Sequence, residues 1–524
     1  MNAGHLARLR RDALAIYEAG VAAVNGHKCV LNACAELDHG SVAAVSIGKA
    51  AGSMLAGAQE AFGERLTRGL LISTDEYLDE RPSAHVETVL SSHPLPDESS
   101  LRAGTRLIDF LATVPHDHAL LFLISGGTSA MVESLPAGVG YKDLTRLNRW
   151  LLGSGLAINE VNVVRSAVSA IKGGRLRRFL PASVPCYLLA MSDVPDDRPE
   201  TIGSGLLHPQ RKGLPTELPD WVSALCQSPA PEPAAAIPTR IVATPLDALR
   251  AASAKAGLLG YPVFAMQRDL YGEVEAVARR LCLNEGPGVS LHAGETTVRL
   301  PVTPGRGGRC QHLALIIARA IANRANQVYL CAGTDGCDGM GAAGAIVDGE
   351  TLSRAEASGL DAIEALNQAD SGQFLDSAGV LLPVRKTGTN VTDLVVRIME
   401  SERDTDHCTD ASALHNGGYS RSQMSFSTMT EFSGGDDPIL KALLPGYLAR
   451  RREELATLNV ALERGDFATL RTIGHNLLGS GGAYGLAKVS EFGRAIETAA
   501  IADDADAIRA TIQQMQAFLE ELSI

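Results

Sequence analysis

Aromatic residues are scarce in this chain, at 4% of 524 positions, so its cores must be built from Ala, Val, Leu and Ile. Paired cysteines are missing as well. Cys29, Cys34, Cys186, Cys226, Cys282, Cys310, Cys331, Cys337 and Cys408 are scattered, odd in number and never spaced as CxxC. That argues against a disulfide framework or a zinc site and fits a reducing, cytoplasmic setting. No apolar run is long enough for a signal peptide or a membrane span. Positive charge is not in excess: the formal net charge of -13 argues against nucleic-acid and anionic-membrane partners. Two nucleotide signatures are absent, GxxxxGK[ST] and a clean GxGxxG after a strand. The chain is therefore neither an ordinary P-loop enzyme nor an obvious dinucleotide binder.

What is present is a repeated unit. Residues 1–400 alternate short apolar runs with Gly-rich turns and helical stretches, as in VAAVSIGKAAGSM (42–54), HALLFLISGGTSAMV (118–132) and QVYLCAGTDGCDG (327–339). A strand entering such a turn and then a helix is the α/β pattern of parallel strands covered by helices. The Pro/Ala-rich stretch QSPAPEPAAAIP (227–238) reads as a connector within this region. Residues 402–437 are polar and aperiodic, which marks a flexible linker. Beyond it, 438–524 holds a single proline after its first residue, Pro445, and four stretches of helical period, which predicts an all-α four-helix bundle.

Four turns carry groups suited to phosphate chemistry, which needs positioned cations and backbone N–H groups. Lys49 follows the strand ending at Ile47 and so belongs at the carboxyl end of a sheet, where α/β proteins bind ligands. Ser125, Gly126 and Gly127 form a second strand-to-helix turn able to hold an anion. Arg306 and Arg309 sit in a third, PGRGGR, whose glycines permit a nest of N–H groups. Asp335 and Asp338 lie in a fourth, and also fit simple turn capping.

The series GKAAGSM (48–54), SHPLPDESSLRAG (92–104), LFLISGGTSAMV (121–132), INEVNVVRSAVSAIKGGRL (158–176), SDVPDDRPETIGSG (192–205), GETTV (294–298), GRGGRCQHLALIIA (305–318), AGTDGCDG (332–339) and TGTNVTDL (387–394) resembles the glycerate 2-kinase family, also labelled hydroxypyruvate reductase. The resemblance covers nearly all of residues 1–400. It implies two Rossmann-like α/β domains, 1–235 and a MOFRL-type lobe at 236–401, with a cleft between them. It implies D-glycerate and ATP as substrates, with Mg²⁺, and phosphorylation of the 2-hydroxyl. By the same resemblance Lys49, Asp193 and Arg309 are catalytic, Asp193 serving as general base or metal ligand. Ser125, Gly126 and Gly127 would cradle an anion, with Arg165, Lys172 and Asp335 as further lining. The chain departs from the family pattern at Cys310, His312, Leu206 and Thr128, which border the proposed cleft.

In the last region His475 stands in TIGHNLLGSGGAYG, one turn before four small residues, Gly479, Ser480, Gly481 and Gly482. Each mid-helix glycine costs about 1 kcal/mol relative to Ala. Clustered glycines keep bulk away from one face, either for a reactive imidazole or for close helix packing. The segment resembles histidine phosphotransfer (HPt) domains, with Leu478 at the usual lysine position. That resemblance implies phosphate exchange between His475 and a response-regulator receiver domain. Two other readings compete: a catalytically weak metabolite sensor with HPt output, and a hydroxypyruvate reductase. Oligomeric state is not readable from the sequence.

Overall fold

The computed structural model describes residues 3–401 except 38, 79–84, 155, 157, 210–212, 216, 228–235, 284–285 and 340. In the remainder it describes 451–521 except 453, 456, 468, 472, 475–476, 478–486 and 503. The chain divides into a larger unit, 1–408, and a smaller one, 409–524.

The larger unit is built on two six-stranded sheets. The first contains β1 (Ser41–Ile47), β2 (Leu66–Ser73), β3 (Val86–Leu90), β4 (His118–Ile124), β5 (Cys186–Met191) and β6 (Thr239–Ala243). Their order is β3-β2-β1-β4-β5-β6 and every pairing is parallel. Strands covered on both faces need near-continuous apolar runs. Strands β1 and β4 satisfy this, being buried at every position after the first. The strand order reverses between β1 and β4, and ligands of such sheets bind outside the carboxyl ends at that point. The turns after Ile47 and Ile124 occupy it.

The second sheet corrects the expectation of another Rossmann-like domain. It contains β7 (Val263–Gln267), β9 (Gly288–Gly294), β11 (Gln327–Gly333), β12 (Gly344–Asp348), β13 (Leu381–Leu382) and β14 (Asp393–Met399). The order is β13-β12-β11-β14-β9-β7, and every pair except β7 with β9 is antiparallel. The reason is local. The connection 334–343 carries no helix, so β12 returns beside the strand it left, whereas a parallel return needs a longer crossover. A minor ladder of β8 (Gly272–Glu273) and β10 (Thr296–Thr297) flanks this sheet.

The two lobes do not divide at 235/236. Strand β6 lies beyond that point and pairs with β5 in the first sheet. The N-terminal helix Ala3–Ala23 packs on the helix Pro245–Leu258 and on β11 and β14 of the second sheet. Its Leu9, Ala13 and Ile16 are wholly buried. One continuous apolar core joins the sheets, running from Ala44 and Leu55 to Leu291 and Leu330.

The smaller unit contains the helices Ala487–Ile501 and Ala505–Glu521, with further helical residues within 451–463 and 467–477. Leu458, Leu470, Leu477, Ile496, Ile508 and Met515 from these stretches share one core. His475, Leu478 and the linker 402–437 lie outside the described residues. Among the described residues, no helix is long and apolar enough to cross a membrane.

Candidate active site

Strand β1 ends at Ile47, and the chain then turns at Gly48 with φ of 122°. A methyl there would overlap the Ser125 hydroxyl, so only glycine lets the turns after β1 and β4 pack together. They are laced by three bonds. Ser125 N donates to Ile47 O at 3.0 Å, Lys49 N to Gly126 O at 2.9 Å, and Ala50 N to Ser125 Oγ at 3.1 Å. The Ser125 hydroxyl is thus buried in the wall, where it receives the N–H of Ala50 at the start of the helix Ala51–Phe62. The N–H groups of Gly126 and Gly127, in contrast, have no protein acceptor among the described residues. They are the part of this turn open to an anion.

Gly126 and Gly127 also fix where two charged side chains meet. A methyl on Gly126 would overlap Asp193 Oδ2 and Asn390 Nδ2. One on Gly127 would come within 3.2 Å of both Lys49 Cγ and His93 Cδ2. Lys49 and Asp193 therefore flank one dipeptide. The Asp193 carboxylate has no other side chain as hydrogen-bond partner among the described residues. Burial raises its pKa, against the pull of the Lys49 and Arg309 charges.

The second lobe supplies the opposing wall through its antiparallel register. Asp393 pairs across the ladder with Gly294 on one side and with Gly333 on the other. Glu295, Asp393 and the 334–338 turn thereby meet at one end of the sheet. Arg309 lies against them at the start of the helix Arg309–Ala320. Its Nε donates to Asp393 Oδ2 at 2.6 Å, and its Nη2 to Asp393 Oδ1 at 3.0 Å and Glu295 Oε1 at 2.8 Å. Burial pushes the Glu295 carboxyl up; Arg309 opposes the shift and Asp393 adds to it.

Lys49 crosses to this wall, with Nζ 2.6 Å from Asp335 Oδ2. Tyr77 donates to the same oxygen at 3.3 Å. Burial lowers the pKa of the ammonium, but Asp335 and Tyr77 outweigh it and hold it above the ordinary lysine value. Asp338 is a cap. It accepts from the N–H groups of Cys310 at 3.0 Å and Gln311 at 2.8 Å, closing the start of the Arg309 helix. Arg306 turns away to Asp376 at 2.6 Å, outside the cleft.

Two pockets adjoin at His93 and Pro94. The larger, about 660 Å³, is bordered by Lys49, Arg309, Gly307 and Gly308. The N–H groups of these two glycines have no protein acceptor among the described residues. The smaller, about 240 Å³, is bordered by Asp193, Gly127, Asn148, Asn162, Arg165 and Lys172. Lys172 is neutralised there by Glu133 at 2.5 Å, both groups being buried. Arg165 is not: its Nε is buried without a partner among the described residues, and loss of water lowers its pKa. Among the described residues, no carboxylate is paired with this cation.

Sequence reasoning assigned no role to Glu295, Asp393, Tyr77 or His93. The first two lie inside GETTV and TGTNVTDL, and both adjoin strand ends, which was the available signal. Among the described residues, no group of three or more His, Cys, Asp or Glu side chains is placed to hold a metal ion.

Comparison with known proteins identifies the families that the chain matches. Residues 12–218 match the family described as Domain of unknown function (DUF4147), 288–393 the MOFRL family, and 443–523 the Hpt domain. A D-glycerate 2-kinase from Thermotoga maritima is 30% identical over 416 residues, covering 75% of this chain and 98% of that protein. A putative hydroxypyruvate reductase from Agrobacterium vitis is 32% identical over 411 residues, covering 72% of this chain and 92% of its own length. The crystal structure of a Thermotoga maritima glycerate kinase superposes with a TM-score of 0.65 at 29% identity, covering 75% of this chain and 99% of that one.

Proposed function

Because the chain belongs to the glycerate 2-kinase family, with an Hpt domain following the kinase region, we propose that it transfers the γ-phosphoryl group of ATP to the 2-hydroxyl of D-glycerate. The observation that carries this reading is the meeting of Lys49 and Asp193 across Gly126–Gly127, with Arg309 on the facing wall. In the transfer, the bond from the γ-phosphorus to the bridging oxygen breaks and a bond from the glycerate O2 forms. The hydroxyl proton passes to Asp193, whose raised pKa suits a proton acceptor. Lys49 and Arg309, with the free N–H groups of Gly126 and Gly127, hold charge developing on the transferred group. Arg165 takes the glycerate carboxylate in the smaller pocket, leaving the larger one to the nucleotide.

The donor set also fits Mg²⁺. In the alternative role of Asp193, as metal ligand in place of proton acceptor, its carboxylate and that of Glu295 would hold Mg²⁺, which binds through one or two carboxylates plus substrate phosphates while keeping several waters. Bound there, it would neutralise phosphate charge.

For the last region, the Hpt match supports a phosphorelay in which His475 exchanges phosphate with a receiver-domain aspartate. ATP and receiver domains are both cytoplasmic, where this reading places the protein. A coupled assay with ATP and D-glycerate tests the enzyme: turnover must vanish in Lys49→Ala and Arg309→Ala. Glycerate binding without turnover would instead favour a sensor, and NADH oxidation with hydroxypyruvate a reductase. Acid-labile phosphate received from a phosphorylated receiver domain must disappear in His475→Gln.

A further inference from the structure

A second ion pair joins the two lobes, on the Asp193 side of the cleft. Arg268 lies just after β7 in the second lobe. Its Nη1 is 2.5 Å from Asp197 Oδ2, and its Nη2 donates to Asp197 Oδ1 at 3.0 Å. The same Nη2 reaches the carbonyl of Val194 at 3.0 Å. All three acceptors belong to the short loop that follows Asp193 in the first lobe. That loop is also closed on itself, because Ser192 Oγ donates to Asp197 Oδ1 at 2.6 Å. Asp197 holds a φ of 51°, a strained value for a residue with a side chain. An external grip is what such a turn needs to persist.

The grip matters because, among the described residues, no other side chain holds the Asp193 carboxylate, which is hydrogen-bonded only to its own backbone. The backbone of its loop alone places the carboxylate, against Gly126. The Arg268 and Asp197 side chains are 22% and 25% exposed, so bulk water screens this pair less than a surface one. The contact is a planar fork on a carboxylate plus a carbonyl, which a lysine ammonium cannot reproduce.

We propose that Arg268 is a positioning residue that holds Asp193 in place only when the lobes are closed. Substrate entry requires the cleft to open, which separates Arg268 from Asp197 and loosens the 192–197 loop. Closure restores the fork and aims the carboxylate at the reacting hydroxyl. Two ion pairs then span the cleft: Lys49–Asp335 sets the phosphate side, and Arg268–Asp197 sets the proton-accepting side. This inference rests on the reading of Asp193 as proton acceptor.

The test uses the full chain with Arg268→Ala, Arg268→Lys, Asp197→Asn and the exchanged pair Arg268→Asp with Asp197→Arg. Misplacing a reacting group by about 1 Å costs about 100-fold. The expected result is a kcat lowered by about that factor in Arg268→Ala, with the KM for ATP unchanged, little recovery in Arg268→Lys, and partial recovery in the exchanged pair. Hydrogen–deuterium exchange of the 192–198 backbone should rise in Arg268→Ala and Asp197→Asn, while the rest of the first sheet stays protected. A merely structural arginine would instead lower thermal stability and leave kcat of the folded fraction intact. If Asp193→Asn abolishes turnover but Arg268→Ala matches wild type in kcat and exchange, the inference is overturned and the reading stands. If wild type turns over no glycerate, the reading fails, and the exchange measurement alone decides whether Arg268 holds the loop.

Discussion

Lys49 of the first lobe and Asp335 of the second form a 2.6 Å ion pair across the cleft, with side chains only 12% and 4% exposed. Removing one member of a buried pair leaves an uncompensated charge and costs about 3–5 kcal/mol. Asp335→Asn should therefore lower Tm by calorimetry as well as kcat. The pH dependence has a defined sign. Lys49 has a folded pKa above its unfolded one, so the pair contributes fully below the unfolded value and is lost only as pH rises through the higher folded one. No limb of the rate profile below pH 9 should belong to Lys49. A profile whose alkaline limb near neutrality disappears in Lys49→Arg would contradict this.

Gly126 is a steric prediction. Its hydrogen faces Asp193 and Asn390 where a methyl would overlap both. Gly126→Ala must displace the Asp193 carboxylate from the Lys49 side of the pocket. Misplacement on that scale costs about 100-fold in rate. The variant should keep its far-ultraviolet circular dichroism and lose that much kcat in the coupled assay. Retention of full activity would mean that the Asp193 position is not used.

The first-lobe half of the site was legible in the sequence because parallel strands deliver their motifs one per strand end. GK follows VAAVSI, SGG follows LLFLI and SD follows YLLAM, so each turn announces a strand's carboxyl end. The turns of Lys49 and of Ser125–Gly127 needed no further information to be placed on one edge, whereas Asp193 was named only through the family resemblance. The second-lobe half was hidden because antiparallel register, not local text, brings its groups together. Gly294, Asp393 and Gly333 are distant in the chain but share one row of the sheet. The Gly-rich stretch after β11 was read as a strand-to-helix turn, and it is the helix-free return to β12. Ser125 and Asp338 show a further limit. A sequence names a hydroxyl or a carboxylate in a turn but does not reveal that helix N–H groups already occupy it.

Under the proposed reading, Arg165 separates the two substrates. Its guanidinium borders the smaller pocket without a carboxylate partner among the described residues, whereas Lys172 beside it is already neutralised by Glu133. A hydrogen bond to a charged group contributes about 1.5–3 kcal/mol. Arg165→Ala should therefore raise the KM for D-glycerate by about 10- to 100-fold, with the KM for ATP unchanged. Lys172→Met should differ, acting through stability, since it leaves the Glu133 charge buried without its cation. Equal changes in both KM values for Arg165→Ala would remove it from the acid-binding role.

Asp193 joins stability to activity. Its carboxylate is desolvated, and the nearby cations only partly offset that cost. Its folded pKa is raised, so between the ordinary value of 3.8 and the raised one the folded chain binds more protons than the unfolded chain. Stability therefore falls as pH rises through that window, and the deficit persists at neutrality. Asp193→Asn keeps the shape and removes the charge, so it should raise Tm at pH 7 while abolishing turnover. The gain should shrink as the pH is lowered through that window and vanish below 3.8, where wild type is protonated in both states. In wild type, the acidic limb of kcat/KM should lie above the ordinary carboxylate range, because the proton acceptor must be ionised. An Asn variant that is less stable than wild type at pH 7, or an acidic limb at an ordinary aspartate pKa, would show that Asp193 is not the desolvated base.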